Sequence, residues 1–382
     1  MQILQGECLG NEEWFGLQQG LAKVMAGQLP FVTVAVPLRD EAPRLPGLLA
    51  AVLDQTYSAV RLEVFLVDGG STDATRQLAQ DAAADHAHVH VLDSPGHIAA
   101  AALNLALAQA QGEIFVRLDA RTRLAPDYIA CCVARLQEGV WAGVAGPQVA
   151  AVSTPIGASG APRASGGAVA GASGGRTHAL ALNHWLGTGA PLYRRASEPA
   201  EAVSTPSDTL YLGAFPTSWL RRVGGWDEAF AVNEDYELCV RLRQAGGRLL
   251  VDPAIRSTYL VRDSLSGLAR QYWRYGAWRT VTWRRHPRSL RWRHLAPAAL
   301  TAALALGLVL LAWTPWPLLI LLSIYALVVL AASLQIGVRH GLGCLPRLLL
   351  VFPTLHIAWG AGFWLAWVHP PFRRTRQRRP RR

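Results

Sequence analysis

The stretch "LEVFLVDGGSTDAT", residues 62–75, decides the fold. A mostly apolar run ends at Asp68, and the two glycines at 69–70 permit a tight turn directly after it. The polar residues 71–73 are suited to cap a following helix. We therefore predict a strand, a turn and a helix, with the carboxylate of Asp68 at the carboxyl end of the strand.

The same pattern extends outward from this stretch in both directions. Strands are predicted at 31–38, 62–70, 89–94, 113–121 and 141–150, separated by helices near 44–56, 73–84, 97–111 and 126–138. This alternation is typical of an α/β fold, a mostly parallel sheet flanked by helices. No GxGxxG or GxxxxGK[ST] motif occurs, which disfavours a dinucleotide-binding or P-loop protein.

Acidic residues follow three of the predicted strands. Ligands of parallel sheets bind beyond the carboxyl ends of the strands. The groups found there are Asp40–Glu41, Asp68–Asp73 and Asp119–Arg121. We therefore expect a binding site that draws on all three.

A further acidic cluster lies in "AVNEDYELCVRLRQAGG", residues 231–247. Glu234, Asp235 and Glu237 fall at the start of a predicted helix, where acidic side chains are favoured by capping and by the helix dipole. The alternative is that one carboxylate takes a proton from a substrate. The cluster alone leaves both interpretations open.

Charge and cysteine distribution separate the chain into two parts. The formal net charge is +11, yet Asp263 is the last acidic residue, so the C-terminal third carries arginine without acid. The five cysteines are scattered and form no paired CxxC motifs. This argues against a zinc site or a disulfide framework and fits a reducing compartment.

Several ordered motifs together resemble a known family. They are "VAVPLRDE", "VDGGSTDAT", "RLDAR", "LGTGAPLYRR", "VGGWDEAF", "NEDYEL", "RLRQAGG" and "LARQYWRYGAWR". From about Phe31 to about Pro297, the chain resembles glycosyltransferase family 2, enzymes with the GT-A fold. Within that family it is most similar to membrane-bound enzymes of succinoglycan-type exopolysaccharide synthesis.

The resemblance implies roles for the acidic residues. Glu41 and Asp68 would bind the donor nucleoside, and Asp119 matches the first acid of the DxD motif. That motif holds Mg²⁺ or Mn²⁺ against the donor diphosphate, and hard cations of this kind prefer oxygen ligands. Asp235 matches the general base of the ED motif, and its neighbour Glu234 is assigned to the acceptor and diphosphate.

Further positions come from the family's QxxRW motif. Gln271 and Arg274 match it and would hold diphosphate and acceptor, since an Arg fork suits phosphate oxygens. Two residues depart from the pattern: Arg121 replaces the second acid of DxD, and Tyr275 replaces the final Trp. With Arg121, either Asp119 binds the cation alone or Arg121 supplies part of the positive charge.

The C-terminal third contains long apolar runs. Residues 295–313 and 318–338 are each long enough to cross about 30 Å of hydrocarbon as a helix, and "TPWP" between them predicts a hairpin. A third run, 348–368, is interrupted by Pro353 and His356. If it crossed the bilayer fully, the Arg-rich tail would lie outside, against the positive-inside tendency; re-entrant or interfacial placement is the alternative.

Residues 263–294 interleave Trp and Tyr with Arg at helical spacing, which predicts an amphipathic interfacial helix facing membrane lipids. Nucleic-acid binding is the competing interpretation of such a stretch, and the adjacent apolar runs disfavour it. Arginines before the first run predict that the catalytic domain is cytoplasmic, on the inner (plasma) membrane. The predicted organisation is a lead-in at 1–30, a catalytic domain at 31–262 with a flexible Gly/Ala/Ser-rich loop at 152–176, this helix, a membrane region at 295–369 and an Arg-rich tail at 370–382.

These inferences predict a membrane-associated, inverting glycosyltransferase with a nucleotide-sugar donor and a lipid-linked or glycan acceptor. One alternative is transfer to a polyprenyl monophosphate. Another is an inactive scaffold that binds nucleotide, because the DxD motif is incomplete at Arg121. The sequence does not predict the sugar, the linkage or the oligomeric state.

Overall fold

A computed structural model describes residues 29–152, 172–189 and 203–371. The chain divides into two compact units, Met1–Asp263 and Ser264–Arg382. Most of the predicted lead-in, much of the predicted 152–176 loop and nearly all of the Arg-rich tail lie outside the described residues. The two units are taken in turn below.

The first unit has strands at the five predicted positions and further strands that were not predicted from the sequence. They are β1 Val32–Leu38, β2 Leu62–Asp68, β3 Val89–Asp93, β4 Ile114–Arg117, β5 Thr122–Leu124, β6 Gly143–Ala145, β7 Gln148–Ala151, β8 Thr205–Ser207, β9 Gly213–Pro216, β10 Leu249–Val251 and β11 Ser257–Leu260. Within the described residues, the main sheet has eight strands in the order β3-β2-β1-β4-β9-β6-β10-β8. Strands β1 to β4 pair in parallel, whereas β9 runs antiparallel between β4 and β6. The expected mostly parallel α/β sheet is confirmed.

Helices cover both faces of this sheet. They are α1 Leu45–Leu53, α2 Thr75–Asp85, α3 Ala99–Gln109, α4 Tyr128–Leu136, α5 Ala172–Asn183, α6 Trp185–Thr188, α7 Thr217–Val223 and α8 Glu234–Gln244. Side chains of successive strand residues alternate between two buried clusters: Val34 packs in the same cluster as α1 and α4, and Ala35 in the same cluster as α3 and α8. Strands buried on both faces explain why the sequence shows continuous apolar runs instead of an alternating pattern.

One predicted strand ends early, and another is divided between two sheets. Of the predicted strand 113–121, only β4 is extended; the chain then turns at Asp119, whose carbonyl accepts a hydrogen bond from the Thr122 amide at 3.0 Å, and β5 begins after the predicted strand has ended. Residues 141–150 divide into β6 and β7, and β5 and β7 flank β11 in a small second sheet. At Gly146, between β6 and β7, an added Cβ would overlap the carbonyl of Ile255. The prediction at 113–121 was therefore too long, and the expectation of a single strand at 141–150 was wrong.

The predicted flexible loop at 152–176 was wrong at its end, because residues 172–176 form the first turns of α5. Glycine is a poor helix former, but it allows close approach here. A Cβ at Gly175 would lie 2.7 Å from the Asp263 carboxylate, so the small residue lets α5 pack against this neighbour.

The second unit is helical, with α9 Leu265–Arg285, α10 Trp292–Leu310, α11 Trp316–His340 and α12 Leu345–Val368. Helices α9 and α12 are in close contact through glycines: a Cβ at Gly276 would overlap the carbonyl of Trp359, and a Cβ at Gly362 that of Trp273. Small residues permit such close backbone approach. The predicted interfacial segment 263–294 is thus one helix that ends at Arg285, followed by a break before α10.

Within the described residues, three helices are long and apolar enough to cross a membrane. They correspond to the predicted runs at 295–313, 318–338 and 348–368. Helix α12 continues through Pro353 and His356 without a break, although both were expected to interrupt it. The buried imidazole of His356 is hydrogen-bonded to the Tyr325 hydroxyl on α11 at 2.8 Å, which satisfies this polar group within the helix bundle.

Candidate active site

The turn after β2 orients Asp68 by local hydrogen bonds. Its carboxylate is 2% exposed and accepts from the Ser71 hydroxyl at 2.5 Å and from the Ser71 amide at 3.2 Å. Gly70 has φ +77°, and a Cβ there would lie 2.8 Å from the imidazole of His97. Glycine suits this positive φ, in agreement with the predicted tight turn, and the hydrogen bonds from Ser71 orient the Asp68 carboxylate.

The predicted helix cap at residues 71–73 differs in detail. Ala74 occupies the N-cap position of α2, without a side-chain cap. Instead Asp73 accepts from the amide of Thr75 at 2.9 Å and from its hydroxyl at 2.5 Å. The hydroxyl bond from Thr75 lowers the pKa of the Asp73 carboxyl, since hydrogen bonds to the charged form favour it.

The loop after β1 is tied to the turn after β2. Asp40 has φ +52°, a conformation that Asp tolerates better than most residues. Its carboxylate accepts from the Thr72 amide at 2.7 Å, and its own amide donates to the Ser71 hydroxyl at 3.0 Å. The Glu41 amide donates to the Thr75 hydroxyl at 2.8 Å. These bonds fix the backbone of Glu41 beside the same edge of the sheet.

The side chain of Glu41 lies between two arginines. Arg44 donates to one of its carboxylate oxygens at 2.8 Å, and Arg121 Nε lies 3.2 Å from the other. Arg121, which stands where the family has a second acid, is therefore part of an ion pair that links the loops after β1 and β4. The structure thus brings Glu41 and Arg121 together.

Arg117, the last residue of β4, contacts acids from two motifs that lie far apart in the sequence. Its side chain is almost completely buried and forms ion pairs with Asp119 at 3.1 Å, with Glu234 at 3.2 Å and with Asp235. A buried arginine is tolerated when its charge is paired and hydrogen-bonded. One guanidinium therefore joins the DxD acid to both acids of the ED motif.

Capping alone does not explain the acidic start of α8. The N-cap residue, Asn233, has φ +65° and makes no side-chain cap, while Glu234 and Asp235 contact Arg117. Glu237 pairs with Arg241 one turn later on the same helix, at 2.7 Å. Two of the three acids are thus directed at β4.

Asp235 has a second partner in the "VGGWDEAF" segment. The indole of Trp226 is buried and donates from Nε1 to Asp235 Oδ1 at 3.2 Å. Asn104 on α3 fixes this segment, accepting from the Trp226 amide and donating to the Trp226 carbonyl, both at 2.8 Å. At Gly225, with φ +69°, an added Cβ would overlap the side chain of Asn104.

A tyrosine lies beside the DxD acid. The Tyr211 hydroxyl is 3.3 Å from the hydroxyl of Thr122. Burial raises the pKa of Tyr211 well above its ordinary value, and the negative charge of Asp119 adds to the effect. Tyr211 is therefore a neutral hydroxyl at physiological pH.

The remaining predicted site residues lie on α9, in the second unit. Gln271 donates to the Tyr275 hydroxyl at 2.7 Å, so the Tyr that replaces the family's Trp uses a group that Trp lacks. Arg274, on the same helix, is exposed. Their assignment to the diphosphate and acceptor stays a prediction.

Comparison with known proteins gives the family. The profile described as Glycosyl transferase family 2 matches residues 33–156, and that described as Glycosyl transferase family group 2 matches residues 212–337. The succinoglycan biosynthesis protein ExoA of Rhizobium meliloti (strain 1021) is 31% identical over 337 residues, which cover 87% of this chain and 93% of the relative. The chain is a family 2 glycosyltransferase.

Two further similarities place this glycosyltransferase among its relatives. The undecaprenyl-phosphate 4-deoxy-4-formamido-L-arabinose transferase of Pseudomonas fluorescens (strain Pf0-1) is 31% identical over 115 residues, covering 28% of this chain and 33% of the relative. The mannosyltransferase PcManGT from Pyrobaculum calidifontis, solved in complex with GDP-Man and Mn²⁺, superposes with a TM-score of 0.57 at 19% identity, over 92% of this chain and 96% of that one. The GT-A fold of the glycosyltransferase is confirmed.

The glycosyltransferase has a limited set of ligands for a divalent cation. Among the described residues, no three His, Cys, Asp or Glu side chains are grouped to hold an ion by themselves. The Asp119 side chain is about one-third exposed, at 33%, and thus accessible at the carboxyl edge of the sheet. A single carboxylate together with donor phosphate oxygens fits Mg²⁺-type coordination.

The sequence did not predict the contacts of Arg117, Trp226 and Asn104 in this glycosyltransferase. Arg117 gave one signal, since a charged residue within the apolar run of 113–121 requires a partner once buried. Trp226 lies in a motif that carried the resemblance, but its contact with Asp235 depends on the folded chain. Asn104 gave no signal beyond being polar in an apolar helix.

Proposed function

We propose that this glycosyltransferase moves a sugar, with inversion, from a nucleoside diphosphate donor to a lipid-linked acceptor. The observation that carries the proposal is the joining of Asp119 and Asp235 through Arg117 beyond the carboxyl end of β4. A donor-binding acid and a base are needed side by side for direct displacement at the anomeric carbon. The location agrees with ligand sites of parallel α/β sheets.

Asp235 acts as the general base. It accepts the proton of the acceptor hydroxyl while the hydroxyl oxygen bonds to the anomeric carbon. The bond from that carbon to the donor phosphate oxygen breaks, and the nucleoside diphosphate leaves with the bonding electrons. The Asp235 side chain is 21% exposed, so an acceptor has access to a carboxylate that is otherwise enclosed.

Asp119, Glu41 and Asp68 act on the donor side. Asp119 would hold Mg²⁺ or Mn²⁺, and the bound cation would offset negative charge on the departing diphosphate. Arg121 keeps Glu41 in place through their ion pair. Asp68 is oriented by its turn so that its carboxylate can accept a hydrogen bond from the nucleobase of the donor. These assignments draw on the family resemblance and agree with the positions of the three acids on one edge of the sheet.

The acceptor proposal draws on the relatives. Similarity to a succinoglycan biosynthesis protein over most of both chains favours a growing lipid-linked oligosaccharide. The shorter similarity to an undecaprenyl-phosphate sugar transferase supports a polyprenyl monophosphate as the second candidate. Assay of the purified protein with each lipid, using labelled nucleotide-sugars, distinguishes them because only the correct acceptor gives labelled lipid product.

We further propose that α10 and α11 form a membrane-spanning hairpin. The 19 residues of α10 correspond to about 28 Å of helix, close to the hydrocarbon thickness. Gly307 near the end of α10 faces Leu318 near the start of α11, as a tight hairpin requires. Trp292 and Trp316, at the starts of the two helices, are exposed, which suits the headgroup levels on opposite sides of a bilayer.

Helix α12 is one unbroken helix that, in this proposal, does not cross to the opposite side of the bilayer. Its first residue, Leu345, packs close to Gly337 at the end of α11. Near its other end, Trp364 donates to the carbonyl of Ala298 at 2.8 Å, within the first two turns of α10. Because α10 begins and α11 ends on the same side of a hairpin, both ends of α12 lie on that side. The tail at 370–382 then stays with the cytoplasmic arginines, as the positive-inside tendency favours.

The topology is tested with a C-terminal reporter. A fluorescent protein that folds only in the cytoplasm should be bright when fused after Arg382. A phosphatase that acts only outside should be active when inserted at Thr314, between α10 and α11. Phosphatase activity at the C-terminus would contradict the proposal that both ends of α12 lie on the cytoplasmic side.

The catalytic proposal is tested with Asp235→Asn. Amide nitrogen and oxygen preserve shape but cannot accept the proton at neutral pH, so transfer should fall by at least about a hundredfold, while donor binding stays nearly intact. Membranes containing the protein are supplied with a panel of labelled nucleotide-sugars, with and without EDTA, and lipid extracts are counted. Near-normal turnover by Asp235→Asn would remove Asp235 from the base role.

A further inference from the structure

We infer that Arg117 and Trp226 are positioning residues that fix Asp235, and that Arg117 also couples Asp235 to Asp119. This inference rests on the proposed function, because it assigns Asp235 to the base and Asp119 to the donor side. Neither Arg117 nor Trp226 needs to touch a substrate for this role. Both act through the carboxylates they hold.

The first support is the geometry around Arg117. Arg117 Nη2 lies 3.1 Å from Asp119 and 3.2 Å from Glu234, while Nη1 contacts Asp235. A guanidinium is planar and carries its donors in a rigid fork, whereas a lysine ammonium is a single point charge. One rigid group therefore sets the spacing between the donor-side acid and the base.

The second support is the rigidity of Trp226. Its ring packs against Phe115, with the ring centroids 5.6 Å apart, and edge-on against Phe215, with the centroids 6.5 Å apart. Its backbone is bonded in both directions to Asn104. The indole Nε1 therefore donates to Asp235 Oδ1 from a fixed position, as a preorganised site requires.

These two contacts predict different kinetic effects. Trp226 contacts Asp235, so loss of its N–H should disturb the base and lower kcat while KM for the donor stays unchanged. Arg117 contacts Asp119 as well, so a change there should lower kcat and raise the donor KM together. A residue with a structural role alone would give no such division.

The experiment compares Trp226→Phe with Trp141→Phe in the full-length protein. Trp141 provides a matched control, because its indole also donates to a carboxylate, that of Glu138 at 2.6 Å, away from the site. We expect Trp226→Phe to lower kcat about three- to tenfold, the net value of one hydrogen bond, with the donor KM unchanged. Trp141→Phe should leave both constants at wild-type values.

Arg117→Lys tests the coupling. It keeps the positive charge but cannot span three carboxylates, so kcat should fall by about tenfold or more and the donor KM should rise about threefold or more. Arg117→Met should lower kcat and raise the donor KM further than Arg117→Lys does. If the Met variant does not fold, since it leaves buried carboxylates without a cation, Arg117→Lys and Trp226→Phe carry the test.

The outcomes separate this inference from the function. A Trp226→Phe enzyme with the kcat of Trp141→Phe overturns the role of Trp226. An Arg117→Lys enzyme with wild-type kcat and donor KM overturns the coupling. Wild-type protein that transfers no sugar from any nucleoside diphosphate-linked donor in the panel refutes the proposed function, and the inference with it.

Discussion

Replacing Arg121 by Asp would restore the acid that the family has at the end of DxD. In the structure, Arg121 Nε lies 3.2 Å from a Glu41 oxygen, and both side chains are about four-fifths buried, with exposures of 20% and 17%. A charge-assisted hydrogen bond of this kind is worth about 1.5–3 kcal/mol, and partial exposure favours the lower end. The substitution therefore adds a carboxylate ligand for the cation at the cost of the ion pair between Arg121 and Glu41.

The new carboxylate would also repel Glu41. Two like charges about 6 Å apart at an effective dielectric constant of about 20 repel by up to about 3 kcal/mol before screening by solvent. Arg44, at 2.8 Å, still holds the other Glu41 oxygen and limits the damage. We expect the loss to exceed the gain from an extra cation ligand, with donor affinity reduced about tenfold, or about 1.4 kcal/mol.

The assay is calorimetric binding of UDP and GDP to the purified protein in MnCl₂, alongside sugar transfer. Arg121→Gln removes the pair without repulsion and should weaken binding by about threefold, at the net value of one hydrogen bond. Arg256→Asp is the matched control, since Arg256 pairs with Asp127 at 3.0 Å on an exposed surface. That control should leave binding unchanged.

Tighter Mn²⁺ binding by Arg121→Asp, with donor affinity undiminished, would refute this reasoning. It would show that Arg121 is simply a lost cation ligand, and that its ion pair with Glu41 has no part in donor binding. Equal losses in Arg121→Asp and Arg256→Asp would refute it in a different way, because the effect would then follow from net charge.

Two further predictions concern stability, measured by thermal unfolding in detergent. Gly276→Ala should destabilise the protein by about 1–3 kcal/mol, because overlap with the Trp359 carbonyl outweighs a gain of up to about 1 kcal/mol in helix propensity. Gly343→Ala is the control and should show no such loss, because a Cβ at Gly343 would have no atom within 4 Å. Equal loss of stability in the two variants would contradict the close packing. Burial raises the pKa of Tyr57, whose hydroxyl donates to Pro30, to about 12. The neutral hydroxyl therefore contributes fully to the free energy of unfolding below an unfolded-state pKa of about 10, and this contribution is lost as the pH rises to 12. Tyr57→Phe should thus flatten the fall in stability between about pH 10 and 12. An unchanged slope would contradict this prediction.

The sequence was sufficient for the elements that local pattern determines. Strand β2, its glycine turn and the position of Asp68 were predicted because the apolar run, the glycines and the acid lie within about a dozen residues of sequence. The same holds for the start of α8 at Glu234. The predicted strand at 113–121 was too long, because the chain turns at Asp119. The predicted strand at 141–150 was wrong in its middle, because the chain changes sheets there without changing its apolar composition.

The contacts within the site could not be predicted in the same way. The ion pair between Arg117 and Glu234 joins residues 117 positions apart, and the bond between Asn104 and Trp226 joins residues 122 positions apart. Such pairs depend on which strands become neighbours. The resemblance identified the acids, and only the folded chain showed which cations and donors hold them.

Asp235 stands on the first turn of α8, a helix whose inner face, including Leu238 and Leu242, lies in the central apolar cluster of the domain. Regions with few buried apolar contacts open locally at low cost, whereas a helix anchored in the core opens only with the whole domain. Heating should therefore leave catalytic competence intact almost up to the global melting transition. An enzyme built this way loses its activity abruptly and together with its fold, without an earlier, partially inactive stage.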